Sequence, residues 1–491
     1  MGLKGPKPVP FLGNSIYWLL KPRCFLDIEW GRKYGQIYGI YDSNQPILVV
    51  TKPELIKKIV VKDYHVFIDR RMRPTNHFLY RESLSHARGD NWRRIRSIAS
   101  PTFSSAKIRK MYPIVRQCLR ALMTHVVDME CGDCVDLKKM CGNYTMDVIA
   151  AVAFGTDANA HNDHSSAFVT SARQILDVDF VRTIIVLLLP KFVVKAIGLK
   201  SRVPETAHQF FVDIGRRLIN ERKSDPDSHR KYNDFIQFLV DARPDGDRDA
   251  TPAAADVNAF NESEEELAIR RQMLTTGAKK HTLTDDQIVA QAWIFFLAGY
   301  DTTSTTLTYC CYELALNPDI QQRLYNEVMA SVDSEGEIGY DELMAMSYLD
   351  AVLSETLRKY PAAIKLERRS VAEYVLGDTG ITLPAGQEIE ITTYAIHHNP
   401  EYYPDPEKFD PERFMPENKH NIQPYTYLPF GAGPRNCIGM RVALMEAKLC
   451  VVHLIQKYMF LRIPKTSVPI KFQISMTTLS PGDVHIGFTK R

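Results

Sequence analysis

The 491-residue sequence predicts a mainly α fold with small β-sheets, of the α+β class. Three observations lead there. Helical apolar periodicity dominates from about residue 88 to 240 and again from 283 to 360. Alternating strand-like runs bounded by turn residues lie near the start and toward the end of the chain. Composition is that of an ordinary globular protein, with 45% hydrophobic and 24% charged residues, which excludes disordered and collagen-like classes.

Taken in order, "GQIYGIYDSNQPILVVT" predicts two strands turning at Asp42-Ser43-Asn44-Gln45, and "KPELIKKIVVK" a short helix. Residues 243–283 are polar and rich in Pro, Ala and Asp, and read as a solvent loop or linker before the next helix. That helix opens at a capping box, Thr284 with Gln287, and runs to Asn317-Pro318, where proline stops it. At 1.5 Å per residue it reaches roughly 50 Å. "ITLPAGQEIEI" (381–391) predicts a hairpin around Pro-Ala-Gly. A last helix starts at or just after Gly439, and the tail from about 460 reads as strands, which puts small sheets at the two ends of the sequence.

Function classes narrow by exclusion. A net charge of +3 gives no argument for nucleic acid. Nine cysteines, odd in number and irregularly spaced, fit a reducing compartment rather than a disulfide scaffold. The lone Cys131/Cys134 CxxC, with Cys141 nearby, has no adjacent fourth ligand, so structural or incidental thiols are favoured over zinc there. No signal peptide opens the chain, and no run reaches the roughly 18 apolar residues of a membrane span. The apolar run 181–200, broken by Pro190 and Lys191, fits a core helix or a patch dipping into a bilayer.

Four segments carry chemistry. In "PFGAGPRNCIGMRVALMEAK" (429–448), glycines, Arg435 and Cys437 crowd a tight loop before a helix, an arrangement that holds a sulfur with backbone close around it. In "IFFLAGYDTTSTT" (294–306), Gly299, Asp301, Thr302 and Thr303 interrupt a long apolar helix. Glycine costs about 1 kcal/mol inside a helix, threonine can bond back to a carbonyl, and a carboxylate among apolar groups needs a partner. Those residues mark a site or a close helix crossing. "SETLRKYP" sets Glu355 and Arg358 three apart on one helix face, and "DPEKFDPERF" offers a further cation, Arg413. "GDNWRRIRS" puts Trp92 and Arg96 four apart, as packed tryptophan beside a basic face or as two N–H donors for a carboxylate.

Together, in this order and spacing, these segments resemble the cytochrome P-450 superfamily. "FGAGPRNCIG" fills every fixed position of that family's haem loop, "AGYDTT" is similar to its oxygen-activation motif, and "ETLR" with "PERF" to its Glu-Arg-Arg set. The likeness spans nearly the whole chain and is greatest to the drug- and steroid-metabolising 3A-like subfamily and its invertebrate kin. It implies one large haem domain over 1–491, against a length prior of two or three domains. Cys437 would be the axial thiolate of haem b, shielded by Phe430, with Gly431, Gly433 and Gly439 shaping the loop. Arg435, Trp92, Arg96, Arg368 and Arg70 would hold the propionates. Thr302 would hold a proton-delivering water, Asp301 would relay protons, and Gly299 would open a groove for oxygen. Glu355, Arg358 and Arg413 would form a structural ion network.

By the same resemblance, the reaction is a monooxygenation of a lipophilic xenobiotic, steroid or fatty acid by O2. Its electrons come from NADPH through a partner reductase, with cytochrome b5 a further candidate partner, because no dinucleotide fingerprint is present in the chain. Arg93, Arg94, Lys107, Arg109, Lys110 and Lys448 are candidates for the docking face. The substrate pocket would draw on 72–88, 170–200, Phe295, Phe296, Ala362 to Lys365 and Met476 to Leu479. The expected location is the cytosolic face of the endoplasmic reticulum membrane; the sequence starts just after where a microsomal anchor would end. Two other readings stand beside this one: a haem-thiolate peroxide isomerase, and a non-catalytic haem carrier or sensor.

Overall fold

A computed structural model describes residues 2–71, 77–127, 134–163, 166–176, 205–242, 266, 268–269 and 282–491. The expected bilayer-facing run at 181–200, Cys131 and most of the 243–283 stretch lie outside the described residues.

The molecule is organised around a 32-residue central helix, Asp285–Leu316. Its start is set as the sequence predicts: Thr284 Oγ1 accepts the Gln287 N–H and Gln287 Oε1 accepts the Thr284 N–H, each at 3.3 Å. Asp285 and Asp286 stand in the first turn, where the helix dipole favours negative charge. The helix ends at Asn317, and Pro318 opens the next one. The Leu137–Phe154 helix crosses it closely. Asp136 caps that second helix by accepting the Lys139 N–H, and Gly155, with φ of 59°, terminates it. Two glycines set the crossing. A Cβ on Gly299 would lie 2.7 Å from Ile149 Cδ1, and one on Gly142 would lie 3.1 Å from the Tyr300 hydroxyl.

Strands assemble from distant parts of the chain. β1 (Ile37–Asp42) and β2 (Gln45–Val50) form the predicted hairpin, paired antiparallel with Ser43 at φ 54° in the turn. β3 (Cys134–Asp136) is followed by β4 (Leu366–Arg369), β5 (Tyr374–Val375), β6 (Thr382–Leu383), β7 (Glu388–Ile391), β8 (Tyr458–Leu461) and β9 (His485–Lys490). The main sheet runs β1-β2-β7-β4, with β7 parallel to β2 and antiparallel to β4. β3-β9-β8 form a second sheet and β5-β6 a third.

Two expectations are corrected here. The 381–391 stretch is not one hairpin: β6 pairs with β5, and β7 crosses into the main sheet. Sheets are also not segregated by sequence end, since residues 37–50 and 366–391 share one. Side chains at this seam explain the choice of partner. Glu390 on β7 is 1% exposed and takes the Arg23 guanidinium at 2.7 Å and the Lys365 ammonium, while Arg23 also binds Asp27 at 2.6 Å. These buried cations hold the Glu390 carboxyl down at about 2 against the opposing effect of its burial.

Among the described residues, no helix is long and apolar enough to cross a membrane.

Candidate functional site

The cysteine loop is built by backbone geometry. Gly431 and Gly433 adopt φ of 71° and 74°, a region L side chains rarely enter. At Gly433 the requirement is also steric, because a Cβ there would overlap the Val60 carbonyl. The Asn436 N–H bonds Gly433 O at 2.9 Å, and the Cys437 N–H bonds Phe430 O at 2.8 Å. Gly439 differs. It precedes the Met440–Lys457 helix with an ordinary φ of −89°, and a Cβ there would only touch Phe103 at 3.8 Å. No protein neighbour therefore demands glycine at that position.

The Cys437 side chain is exposed, yet surrounding protein desolvates it enough to push its thiol pKa up. The sulfur is thus exposed yet closely ringed by protein. The Gly439 and Met440 N–H groups and the Arg96 and Arg70 guanidinia pull the other way, favouring the thiolate. A cation bound at the sulfur would complete that shift.

Four arginines converge beside this loop. Arg96, on the Gly89–Ala99 helix, donates to Asn436 O at 3.1 Å and Asn436 Oδ1 at 2.8 Å. Arg435 stacks over Trp92, 4.3 Å from the ring centroid, and donates to Ala87 O at 2.7 Å. Arg70 reaches Arg435 O at 3.4 Å, and Arg368 bonds Glu367 O at 2.9 Å. Burial and then Arg70 lower the Arg368 guanidinium to about 9. Burial, Arg70 and Arg368 lower Arg435 well below its ordinary value as well, and Arg435 reaches the Asp69 carboxylate only at 4.0 Å. Arg435 Nε is buried with no hydrogen-bond partner. Mutually repelling buried guanidinia with a donor to spare need anions. The two propionates of a haem would supply that negative charge, and Cys437 would offer its iron a sulfur ligand, so the residues present fit the group.

On the central helix, Ala298 is exposed and Asp301 and Thr302 are half-buried, although the residues on either side of this stretch are mostly buried. The helix stays continuous through this stretch. Thr302 Oγ1 donates to Ala298 O at 2.6 Å, and Thr306 and Thr308 repeat the pattern at 2.8 Å. With its proton engaged, the Thr302 hydroxyl keeps lone pairs to accept from a water or substrate. Gly299 turns its Cα toward Ile149, so close helix packing by itself requires a glycine here.

The acid–arginine set that the sequence left unassembled meets in space. Arg358 grips Glu355 through Nε at 2.7 Å and Nη2 at 2.9 Å, both residues 0% exposed. Arg413 Nε lies 3.6 Å from Glu355, and the Asp410 N–H adds a bond at 2.9 Å.

Sequence reasoning missed His397, which joins this network to the cysteine loop. Its Nε2 accepts the Leu428 N–H at 2.8 Å, and its Nδ1 bonds Arg358 O at 3.1 Å. Both contacts require the neutral ring, and burial and then Arg358 hold His397 down at about 3 from 6.5. The unfolded chain therefore takes up a proton near 6.5 that the fold refuses until about 3. Stability from neutral His397 is full above pH 6.5 and falls by up to about 1.4 kcal/mol per unit as pH drops below it. His397→Gln is expected to flatten the acid limb of stability between pH 6 and 4, read by urea midpoints; an unchanged limb contradicts this assignment.

Other expectations change. Lys448 is 0% exposed, bound to Asp350 at 3.1 Å, and so is no part of a docking face. Phe296 is enclosed by Phe154, Phe168 and Phe211, and Phe295 by Phe103 and Phe235, which makes both core residues rather than pocket lining. Lys365 is tied to Glu390 and Glu367. The segments at 362–364 and 477–479 do meet, through Ile364 N–H to Thr477 O and Leu479 N–H to Ala362 O, both at 3.1 Å. Within the supposed solvent loop, Glu266 is 3% exposed and accepts the Gly433 N–H at 2.6 Å, which brings that part of the stretch onto the cysteine loop.

Comparison with known proteins agrees with this geometry. A family model for cytochrome P450 matches residues 3–261 and 258–486. Cytochrome P450 3A56 of Fundulus heteroclitus is 36% identical over 486 residues, covering 96% of this chain and 90% of its own. Cytochrome P450 3A14 of Cavia porcellus is 35% identical over 477 residues, at 96% and 88% coverage. Cytochrome P450 3A2 of Rattus norvegicus is 36% identical over 477 residues, again at 96% and 88%. With a family model covering nearly all of it and relatives above 30% identity end to end, the chain belongs to the cytochrome P450 family of haem-thiolate monooxygenases.

Proposed function

We propose that residues 1–491 form one haem domain that hydroxylates lipophilic small molecules, with Cys437 as the thiolate ligand of haem b. The carrying observation is the pairing of an open, desolvated Cys437 with three buried arginines, Arg96, Arg368 and Arg435, and half-buried Arg70, a set that includes an unpartnered donor on Arg435. When bound, the haem supplies the O2 activation that sends one oxygen atom to substrate and one to water.

The chain's own residues have three tasks. The Phe430–Gly439 loop fixes the sulfur and directs N–H groups at it. Arg70, Arg96, Arg368 and Arg435 neutralise the propionates, Trp92 being the platform on which Arg435 rests. Thr302 accepts a hydrogen bond from a water and so holds a proton donor in place, and Asp301 passes protons inward. The hydroxyl works as an acceptor here because its own proton sits on Ala298 O.

Electrons come in this reading from NADPH through a separate reductase, with cytochrome b5 as a further partner. Exposed Arg109 and Lys110 and the neighbouring Arg93 belong to the docking face. The site of action is the cytosolic face of the endoplasmic reticulum, as expected of a 3A-like enzyme. The acid–alcohol pair favours this reading over a peroxide isomerase, which needs no proton delivery.

Thr302→Ala is expected to keep NADPH consumption with reductase while cutting product per NADPH by about 100-fold and releasing hydrogen peroxide, the lower end of the roughly 10²–10⁴-fold span of general acid–base effects. Thr302→Ser retains the acceptor and is expected to stay coupled. Unchanged coupling in Thr302→Ala removes Thr302 from the proton path.

A further inference from the structure

A second cluster of ligating side chains lies away from the cysteine loop. His77 precedes the short Phe78–Arg81 helix, while Glu205 and His208 occupy the first turn of the Glu205–Ser224 helix. We propose that His77, Glu205 and His208 bind a divalent transition-metal ion of the zinc class, joining these two elements. One potential ligand atom from each residue lies within 4.8 Å of the other two.

Two features argue for an ion rather than a chance meeting. His208 is only 2% exposed, and neither ring nitrogen has a hydrogen-bond partner. A buried imidazole with nothing to bond is costly, and a metal ion satisfies it directly. Next, His77 and His208 stack with centroids 4.6 Å apart, and His77 Nε2 lies 3.3 Å from a Glu205 oxygen, so both imidazoles and the carboxylate share one small volume.

Two imidazoles and a carboxylate are a borderline-soft donor set suited to zinc, leaving a fourth position for water. Tetrahedral ligands on bonds of about 2.1 Å sit roughly 3.4 Å apart, so modest side-chain rotations close the present spacing. Glu205, with its side chain 71% exposed, can rotate freely and gives the ion a way in. Ligation through His77 Nε2 moves the ring proton to Nδ1, exchanging its 3.2 Å bond from the Leu79 N–H for a metal bond.

The test is equilibrium dialysis of the haem-loaded protein against zinc chloride, with metal counted by plasma emission and affinity set by a competing chromophoric chelator. Wild type is expected to hold one zinc equivalent more than the His77→Asn/His208→Asn double variant. His208→Asn should weaken that site by at least about tenfold, the loss that even groups orienting a metal ligand typically produce. If either histidine variant fails to fold, Glu205→Gln decides, since this exposed carboxylate carries no core packing. Weaker zinc binding in Glu205→Gln supports the site. Equal stoichiometry and affinity in wild type and variants overturn it and place the bound zinc on other surface histidines.

Discussion

Cys437→Ala is expected to abolish the strongly red-shifted Soret band of reduced, carbon monoxide-treated protein and, with it, all reductase-driven monooxygenation. The argument rests on how the sulfur is held. Its backbone is pinned by the 2.8 Å bond to Phe430 O and by two glycines in left-handed conformations. Among the described residues, the other cysteines of the central and neighbouring helices are poor substitutes. Cys310, Cys311, Cys141 and Cys450 are buried in the core, where desolvation raises their thiols and keeps them protonated. The loop's own hydrogen bonds run through the backbone, so alanine leaves them intact, and the variant is expected to fold. Its residual haem would be held by arginine–propionate pairs alone, without a sulfur ligand. A red-shifted band that persists in folded, haem-loaded Cys437→Ala rejects the thiolate assignment. A band present in wild type and absent in the variant supports it.

How far the sequence could be read depended on whether the deciding interaction was local. The central helix was legible because its signals are adjacent in sequence: Thr284 and Gln287 at one end, Asn317-Pro318 at the other. The cysteine loop was legible because glycines and cysteine lie within ten residues. Strand partnership was not, since β7 pairs with β2 across more than 300 residues, where Glu390 also meets Arg23 of a third, helical element. Nor was burial of charge. Lys448 reads as a surface cation, yet Asp350 meets it in the interior. Gly299 shows that one signal can have two causes. A glycine beside Asp301 and Thr302 looks functional, but the side chain it makes room for is Ile149. His397 carried no motif at all. Its importance comes from linking Leu428 and Arg358, which only folding brings together.

Arg358→Ala and Glu355→Ala are each expected to destabilise the protein by about 3–5 kcal/mol, the usual cost of orphaning one partner of a buried ion pair. That is a large part of a total stability of roughly 5–15 kcal/mol, so much of either variant should fail to retain haem. The pair is more than two charges. Arg358 also donates to His397 O at 2.9 Å and Pro406 O at 2.8 Å, and Glu355 accepts the Asp410 N–H. Removing Arg358 therefore orphans a carboxylate and two carbonyls, whereas a well-packed apolar pair at both positions would still leave those carbonyls unmet. For the same reason Arg358→Lys is expected to rescue little, since an ammonium cannot reproduce a planar fork holding one carboxylate and two carbonyls. Arg413 stands farther from Glu355, at 3.6 Å, and keeps its own bonds to Pro404 O and Asp405 O. Arg413→Ala should then cost less, roughly 1–3 kcal/mol as for hydrogen bonds to a charged group. Urea unfolding followed by haem absorbance gives the ranking. If Arg413→Ala proves as damaging as Arg358→Ala, the pull on Glu355 comes from the loop arginine, and the bidentate pair is not what anchors residues 397–410 to the Ser347–Lys359 helix.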